Sequence, residues 1–160
     1  MRNLIIFILS FLLLTSCNHM IHRYGYQKKK LDNIDCNIAL VKYQIYSDSV
    51  ATKIGSIKLG ESGFSINCSE TDAIKILKRE GCSLGADIAN IKKESRADIW
   101  SSCYRCEADF YKLINNKIIV KSDSTYLQQN VKVRVTNDRT RNIMIGGSLL
   151  LILTFLLLMK

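Results

Sequence analysis

Apolar residues are concentrated at the two ends of this 160-residue chain, and this distribution limits which part can form a globular domain. Leu4–Leu14 is interrupted only by Ser10, and Ile143–Met159 carries no charge. The polar and basic residues between these segments, roughly 37–135, suffice for one small domain with a modest core. The ends account for much of the 48% hydrophobic composition, so the central domain is interpreted separately.

The N-terminal segment has the layout of a bacterial export signal. Arg2 supplies a positive charge, and the apolar run Leu4–Leu14 is too short for an ordinary transmembrane helix but fits a signal-peptide core. The run ends in Leu14-Thr15-Ser16-Cys17, which resembles the lipobox of bacterial lipoproteins. In that motif a leucine stands three residues before the cysteine and small residues fill the gap. The resemblance implies that residues 1–16 are removed and that Cys17 carries acyl chains such as palmitate, which anchor the domain on the periplasmic side of an envelope membrane.

Residues 17–36 are predicted to form a lipidated basic tether, since they include the run Lys28-Lys29-Lys30. Residues 18–142 contain 21 Lys and Arg against 14 Asp and Glu, a net charge near +7. A basic domain next to a membrane is attracted to anionic lipid head groups. Nucleic acid is not an expected partner, because an exported protein rarely meets it and no binding motif is visible. The sequence leaves the inner and the outer membrane open as alternatives.

The C-terminal segment is predicted to be a transmembrane helix. Ile143–Met159 is uncharged, and a helix of this length is about 25 Å long, just sufficient to span a bilayer. Arg139 and Arg141 would then lie on the exported side, which the positive-inside tendency disfavours.

Residue periodicity predicts an α+β domain over residues 37–115. Alternation predicts four strands and helical spacing predicts one helix, in the order β-β-α-β-β, with the helix packed on a small, mainly antiparallel sheet. Ser69 and Asp72 form a capping-box-like helix start. A further hairpin is predicted within residues 116–142. The predicted strands are Asn37–Tyr46, Lys53–Leu59, Ala86–Lys92 and Cys103–Leu113, and the hairpin would join Ile118-Ile119-Val120 to Val131, Val133 and Val135.

A set of short motifs in this domain resembles a known envelope family. The motifs are Gly55-Ser56-Ile57, Cys68, Leu84-Gly85-Ala86-Asp87 and Cys103-Tyr104-Arg105. They are similar to those of the envelope stress-sensor lipoprotein of the Rcs system and of the related YbjQ-like small α+β domains. The similarity covers roughly residues 53–113. It implies a helix that leads directly into a strand, a disulfide between Cys68 and Cys103, and a role in stress sensing.

Apart from Cys17, five cysteines remain, and an oxidising compartment should pair some of them. Cys82 lies near the predicted helix end and Cys106 on the inward strand face, so these two are predicted to meet under the helix. Cys36 is then free or paired between chains. A Cys36–Cys106 bond remains an alternative.

The sequence favours a non-enzymatic protein, with no cofactor and no metal. Cys103 and Cys106 have C-x-x-C spacing, but a redox pair of this kind normally lies at a helix N-terminus, and a zinc site would be indicated by a second such pair. We therefore expect a membrane-anchored envelope lipoprotein whose disulfide-stapled domain senses or scaffolds another envelope protein. The alternative is a periplasmic thiol-redox or metal-binding protein that uses Cys103 and Cys106.

Overall fold

A five-stranded mixed sheet forms the centre of the fold in the computed structural model. The structure describes residues 17–27, 36–61, 65–98, 101, 103–115 and 119–141. Two helices accompany the sheet, α1 at Glu70–Leu84 and a second helix over residues 128–141, and a 3-10 turn at Ser124–Tyr126 precedes the second helix. The strands are β1 Cys17–Asn18, β2 Met20–Tyr24, β3 Ala39–Lys42, β4 Ala51–Gly60, β5 Ser65–Asn67, β6 Ile88–Ser95 and β7 Arg105–Leu113.

The strand order in the main sheet is β2-β4-β7-β6-β3. Strand β3 runs parallel to β6, and the other three pairings are antiparallel. A separate short parallel pair joins β1 to β5. Helix α1 connects β5 to β6 and packs on one face of the main sheet.

Helix α1 begins and ends at the residues that its sequence indicates. Ser69 accepts a hydrogen bond from the Asp72 backbone N–H, and the Asp72 carboxylate accepts one from the Ser69 backbone, so the predicted capping box is confirmed. Gly85 ends the helix in the left-handed conformation at φ 69°, which glycine adopts without a steric penalty. Gly81 lies inside the helix, where a methyl group would approach within 2.6 Å of Ile38 Cδ1. The absence of a side chain at Gly81 therefore allows the helix to pack closely on the sheet.

The main core lies between α1 and the sheet. Its fully buried side chains come from the helix and from four of the five strands or their flanks, and Phe110 near the middle of β7 is the largest of them. A smaller apolar cluster on the opposite face covers one end of the sheet, where Tyr46 packs against Tyr111. The main core includes Ile38, Leu40, Ile57, Leu59, Ala73, Leu77, Ala89, Ile91, Ala108 and Phe110.

The predicted fold class is wrong in the number of elements: the described residues form a five-stranded mixed sheet and two helices instead of the β-β-α-β-β layout with one helix. The additional strand of the main sheet is β2, which lies within the predicted basic tether. Its alternation is concealed because Arg23 points inward, where an arginine is not expected, and pairs with the buried Glu80 of α1. Residues 17–24 are therefore part of the folded domain.

The predicted C-terminal hairpin is also wrong, because residues 128–141 are helical. Val131 is buried but Val133 is half exposed, so the valines do not share one strand face. The inward positions instead follow a helical repeat through Arg134, which pairs with Glu70, and Asp138, which pairs with Arg96.

Among the described residues, no helix has the length and apolar character needed to cross a membrane. The predicted span Ile143–Met159 lies outside the described residues.

Strand boundaries differ from the predictions where the backbone departs from regular geometry. Strand β3 ends at Lys42 because Tyr43 adopts the left-handed conformation at φ 54°. The side chain of the buried Asn90 then holds the next residue by bonds to the Gln44 N–H and carbonyl, 3.1 and 2.6 Å long. In β4 the pairing with β7 shifts between Lys53 and Gly55, which explains why Ile54 has the opposite parity to Ile57.

Candidate functional site

Two disulfides fix helix α1 at both ends. Cys68, immediately before the helix cap, is bonded to Cys103, which precedes β7, with an S–S distance of 2.06 Å and a Cα–Cα distance of 4.9 Å. This is the pair that the family resemblance implied. Cys82 in the last turn of the helix is bonded to Cys36, which precedes β3. The helix is thereby tied at its start to β7, the central strand of the main sheet, and at its end to β3, an edge strand.

The suggested bond between Cys82 and Cys106 is therefore wrong, and so is the expectation that Cys36 is left over. The C-terminal part of α1 lies above Phe110, whose ring would be 3.0 Å from a methyl group at Gly81. Cys106 is four residues earlier on the same strand, about 13 Å away at 3.3 Å per residue. Cys36, in the segment before β3, is the cysteine that bonds to Cys82 instead.

Cys103 and Cys106 do not form a dithiol pair, despite their C-x-x-C spacing. Cys103 is in the bridge to Cys68, and Cys106 is a buried free thiol on β7. Burial raises the pKa of Cys106 to about 12, and the nearby carboxylates of Glu94 and Glu107 add to this effect. A thiol with such a pKa is a poor nucleophile and a poor metal ligand at neutral pH.

Within the described parts of the chain, no group of three His, Cys, Asp or Glu side chains is arranged to hold a metal ion. His19 is buried, with its Nε2 3.5 Å from the Ser69 carbonyl oxygen. His22 is exposed on β2, with its Nε2 2.9 Å from the sulfur of Met20. The two histidine rings therefore lie in different surroundings, His19 inside the domain and His22 on its surface.

Cys17 lies in β1, where its backbone pairs with Ser65 of β5. Two residues separate it from β2, which begins at Met20 opposite Gly60, the last residue of β4. Cys17 is therefore adjacent to the end of the sheet at which β4 ends and β7 begins.

The sheet face turned away from α1 carries a carboxylate surrounded by cations. Asp109 Oδ1 accepts a hydrogen bond from Ser56 Oγ at 2.8 Å and lies 2.9 Å from Lys53 Nζ, while Oδ2 lies 2.6 Å from Lys92 Nζ. Burial alone would raise the pKa of Asp109, but the bonds from Lys92, Lys53 and Ser56 together hold it below its ordinary value. The pKa of Lys92 is raised by the same ion pair.

An open cleft of about 370 Å³ lies beside this carboxylate. Its lining includes the exposed ring of Tyr24 and the ion pair between Lys58 and Glu107, whose charged atoms are 2.9 Å apart. The ion pair raises the pKa of Lys58 and lowers the pKa of Glu107, so it favours the charged form of both. A general acid or base needs a pKa near the working pH, so this arrangement fits recognition of a ligand better than proton transfer.

A second polar cluster attaches the C-terminal part of the domain to the sheet. Glu94 accepts hydrogen bonds from the hydroxyls of Tyr104 at 2.7 Å and Tyr126 at 3.1 Å, and it pairs with Lys42. Burial raises the pKa of both tyrosines, so they remain protonated donors. Burial alone would raise the pKa of Glu94. The hydrogen bonds from Lys42, Tyr104 and Tyr126 outweigh the effect of burial, so the pKa of Glu94 is below its ordinary value.

Sequence patterns identified only part of the Asp109 cluster. Strict alternation along β7 puts Arg105, Glu107 and Asp109 on the face opposite Cys106, which agrees with the observed pairing of the strand. Lys53 and Lys92 were not recognised, because both lie at register shifts in their strands. A bulge inserts one residue and redirects its neighbours, and no residue type in these segments signals it.

Comparison with known proteins gives no further assignment: no family model, no curated protein and no solved structure matches the chain. The similarity to the Rcs stress sensor and the YbjQ-like domains therefore stays a prediction.

Proposed function

We propose that this chain is a lipid-anchored, non-enzymatic protein of the bacterial cell envelope, held by acyl chains on Cys17, whose domain recognises another envelope component. The observation that carries the proposal is the pair of disulfides at the two ends of α1. Stable disulfides are typical of proteins that fold in an oxidising compartment such as the periplasm. That is the compartment to which a signal ending in Leu14-Thr15-Ser16-Cys17 directs a protein.

The position of Cys17 gives the proposal an orientation. Three residues of extended chain reach about 10 Å, so an acylated Cys17 would hold the start of β2 close to the bilayer surface. The end of the sheet formed by Gly60 and Arg105 would then face the membrane. The opposite end of the ten-residue strand β4 would project about 30 Å further into the periplasm.

Two features support binding rather than catalysis. The charged groups around Asp109 are arranged in ion pairs, and the pKa of Asp109 itself is held below its ordinary value by Lys92, Lys53 and Ser56. Cys106, which the alternative thiol-redox proposal requires, is buried with a raised pKa, and its neighbour Cys103 is already in a disulfide.

The anchor is tested by metabolic labelling with an alkyne analogue of palmitate. The wild-type chain should incorporate the label, and Cys17→Ala should lose it and accumulate as the longer precursor. Cys106→Ala is the matched control, since it also removes one thiol but should leave labelling unchanged. Labelling that persists in Cys17→Ala would contradict the anchor.

The compartment is tested by alkylating the denatured, unreduced protein isolated from cells. Cys36, Cys68, Cys82 and Cys103 should be protected until a reductant is added, while Cys106 should react without it. Reaction of all five cysteines before reduction would show that the domain does not reside in an oxidising compartment.

A further inference from the structure

The end of the sheet opposite Cys17 has a groove that the proposed function does not use. It has a volume of about 640 Å³ and is open to solvent along one side. Its floor is the start of β3, the turn at Asp87 and the end of β7, and its wall is the segment 119–122 with Leu127. This segment is held against the edge of β3, because the Leu40 N–H donates to Ser122 Oγ at 3.0 Å and the Asp123 N–H donates to the Leu40 carbonyl at 2.8 Å.

Large apolar side chains stand exposed along the groove. Ile119 is 84% exposed and Leu127 is 53% exposed, whereas Ala39 and Leu113 in the floor are buried. Covering the side chain of an almost fully exposed isoleucine with a partner lowers the free energy of the system. Contiguous apolar residues framed by polar ones are typical of an interaction site. The groove therefore has apolar surface available for a ligand.

The groove also has a positive charge that is not neutralised. Asp87 is fully engaged, since Oδ1 lies 3.0 Å from Lys112 Nζ and Oδ2 accepts the Leu113 N–H at 2.8 Å. Lys121 is exposed at the rim, and no ion pair links it to a carboxylate within the described residues. A negative group on a ligand would find its partner at Lys121.

We infer that this groove docks an extended aliphatic peptide segment of a partner protein, with a carboxylate of that segment placed against Lys121. The aliphatic side chains of the segment would cover Ile119 and Leu127. A peptide fits better than an acyl chain, because Asn37 and Ser122 place polar groups in the lining that can pair with a peptide backbone. The docking site is at the end of the sheet remote from Cys17, and it does not depend on lipidation.

The test uses the full-length protein in phosphatidylcholine nanodiscs and three fluorescein-labelled peptides. All three share the core Val-Leu-Ala-Val-Leu. One ends in a free carboxylate, one has a terminal amide and an added glutamate, and one has a terminal amide and an added glutamine. Fluorescence anisotropy should show saturable binding of at least one carboxylate peptide, at least tenfold tighter than that of the glutamine peptide. The first two peptides distinguish a chain terminus from an acidic side chain.

Variants then assign the binding to the groove. Lys121→Gln should remove the tenfold preference for a carboxylate, and Ile119→Ser should weaken binding of all three peptides by about tenfold. Lys132→Gln and Ile45→Ser change exposed residues outside the groove lining and should leave every affinity unchanged. All four positions are exposed, so the circular dichroism melting curves should match that of the wild type.

Three results would overturn the inference. The first is the absence of saturable binding by either carboxylate peptide. The second is equal affinity of the wild type and Ile119→Ser. The third is self-association of the protein in sedimentation experiments that Ile119→Ser abolishes, since the occupant would then be a second copy of the chain.

Discussion

Removing the bridge between Cys68 and Cys103 should lower the free energy of unfolding by about 4 kcal/mol. The bridge closes a loop with a sequence separation of 35 residues, and the chain-entropy relation gives about 4 kcal/mol for a loop of this size. The total stability of a small domain is about 5–15 kcal/mol, so one bridge contributes a large share. Alanine is the suitable replacement, because both cysteines are buried and a serine hydroxyl would add the cost of a buried polar group.

The second bridge provides an internal comparison. Cys36 and Cys82 are separated by 46 residues, which also gives about 4 kcal/mol. The two loops overlap in sequence, so either bridge already shortens the path that the other must close. Removing one bridge while the other remains therefore costs slightly less than its full contribution, and removing both should cost slightly more than the sum of the separate losses.

Urea denaturation of the full-length protein, followed by the fluorescence of the single tryptophan or by circular dichroism, measures these differences. Cys68→Ala and Cys68→Ala/Cys103→Ala should have the same stability within about 0.5 kcal/mol, since both remove one bond. A loss below about 1 kcal/mol for Cys68→Ala/Cys103→Ala would refute the entropy argument, and so would a loss on removing both bridges that is well below the sum of the separate losses.

Three further predictions follow from the core. Cys106 should resist maleimide in the native protein at pH 8, because a pKa of about 12 leaves roughly one thiolate in ten thousand, and rapid native labelling would contradict its burial. Arg23→Gln should destabilise the domain by about 3 kcal/mol in urea melts, because it leaves the Glu80 carboxylate, only 2% exposed, without its ion pair. The pKa of folded Glu80 is below its ordinary value despite burial, so the difference in free energy of unfolding between the wild type and Arg23→Gln should reach its full size above about pH 4.5. This difference should shrink as the pH falls through the folded-state pKa of Glu80. A difference independent of pH would disprove the ion-pair explanation. Gly81→Ala should destabilise despite the higher helix propensity of alanine, since its methyl group would lie 2.6 Å from Ile38 Cδ1, and a rise in melting temperature would show that the packing can adjust.

The parts of the fold that follow simple local rules could be predicted from the sequence. Ser69, Asp72 and Gly85 define the limits of α1 through hydrogen bonds and backbone preferences that depend only on neighbouring residues. Strand β7 alternates without interruption, so its inward and outward faces could be assigned. The Cys68–Cys103 pair came from the family resemblance alone.

The parts that depend on distant partners could not be predicted. Strand β2 contains an inward Arg23 that only the buried Glu80, 57 residues later, makes acceptable. Val131 and Val133 alternate as in a strand, but Glu70 and Arg96 attract Arg134 and Asp138 and favour a helix. The Cys36–Cys82 bond likewise depends on where the end of the helix lies above the sheet.

The N-terminal tryptic peptide of the protein isolated from its native membrane tests the proposed anchor most directly. Trypsin cleaves after Arg2 and Arg23, so a processed and lipidated chain should yield Cys17–Arg23 carrying a diacylglyceryl group and an amide-linked acyl chain, seen as a hydrophobic ion by mass spectrometry. Recovery of Asn3–Arg23, or of a peptide with an unmodified Cys17, would contradict the lipid-anchored envelope protein proposed here.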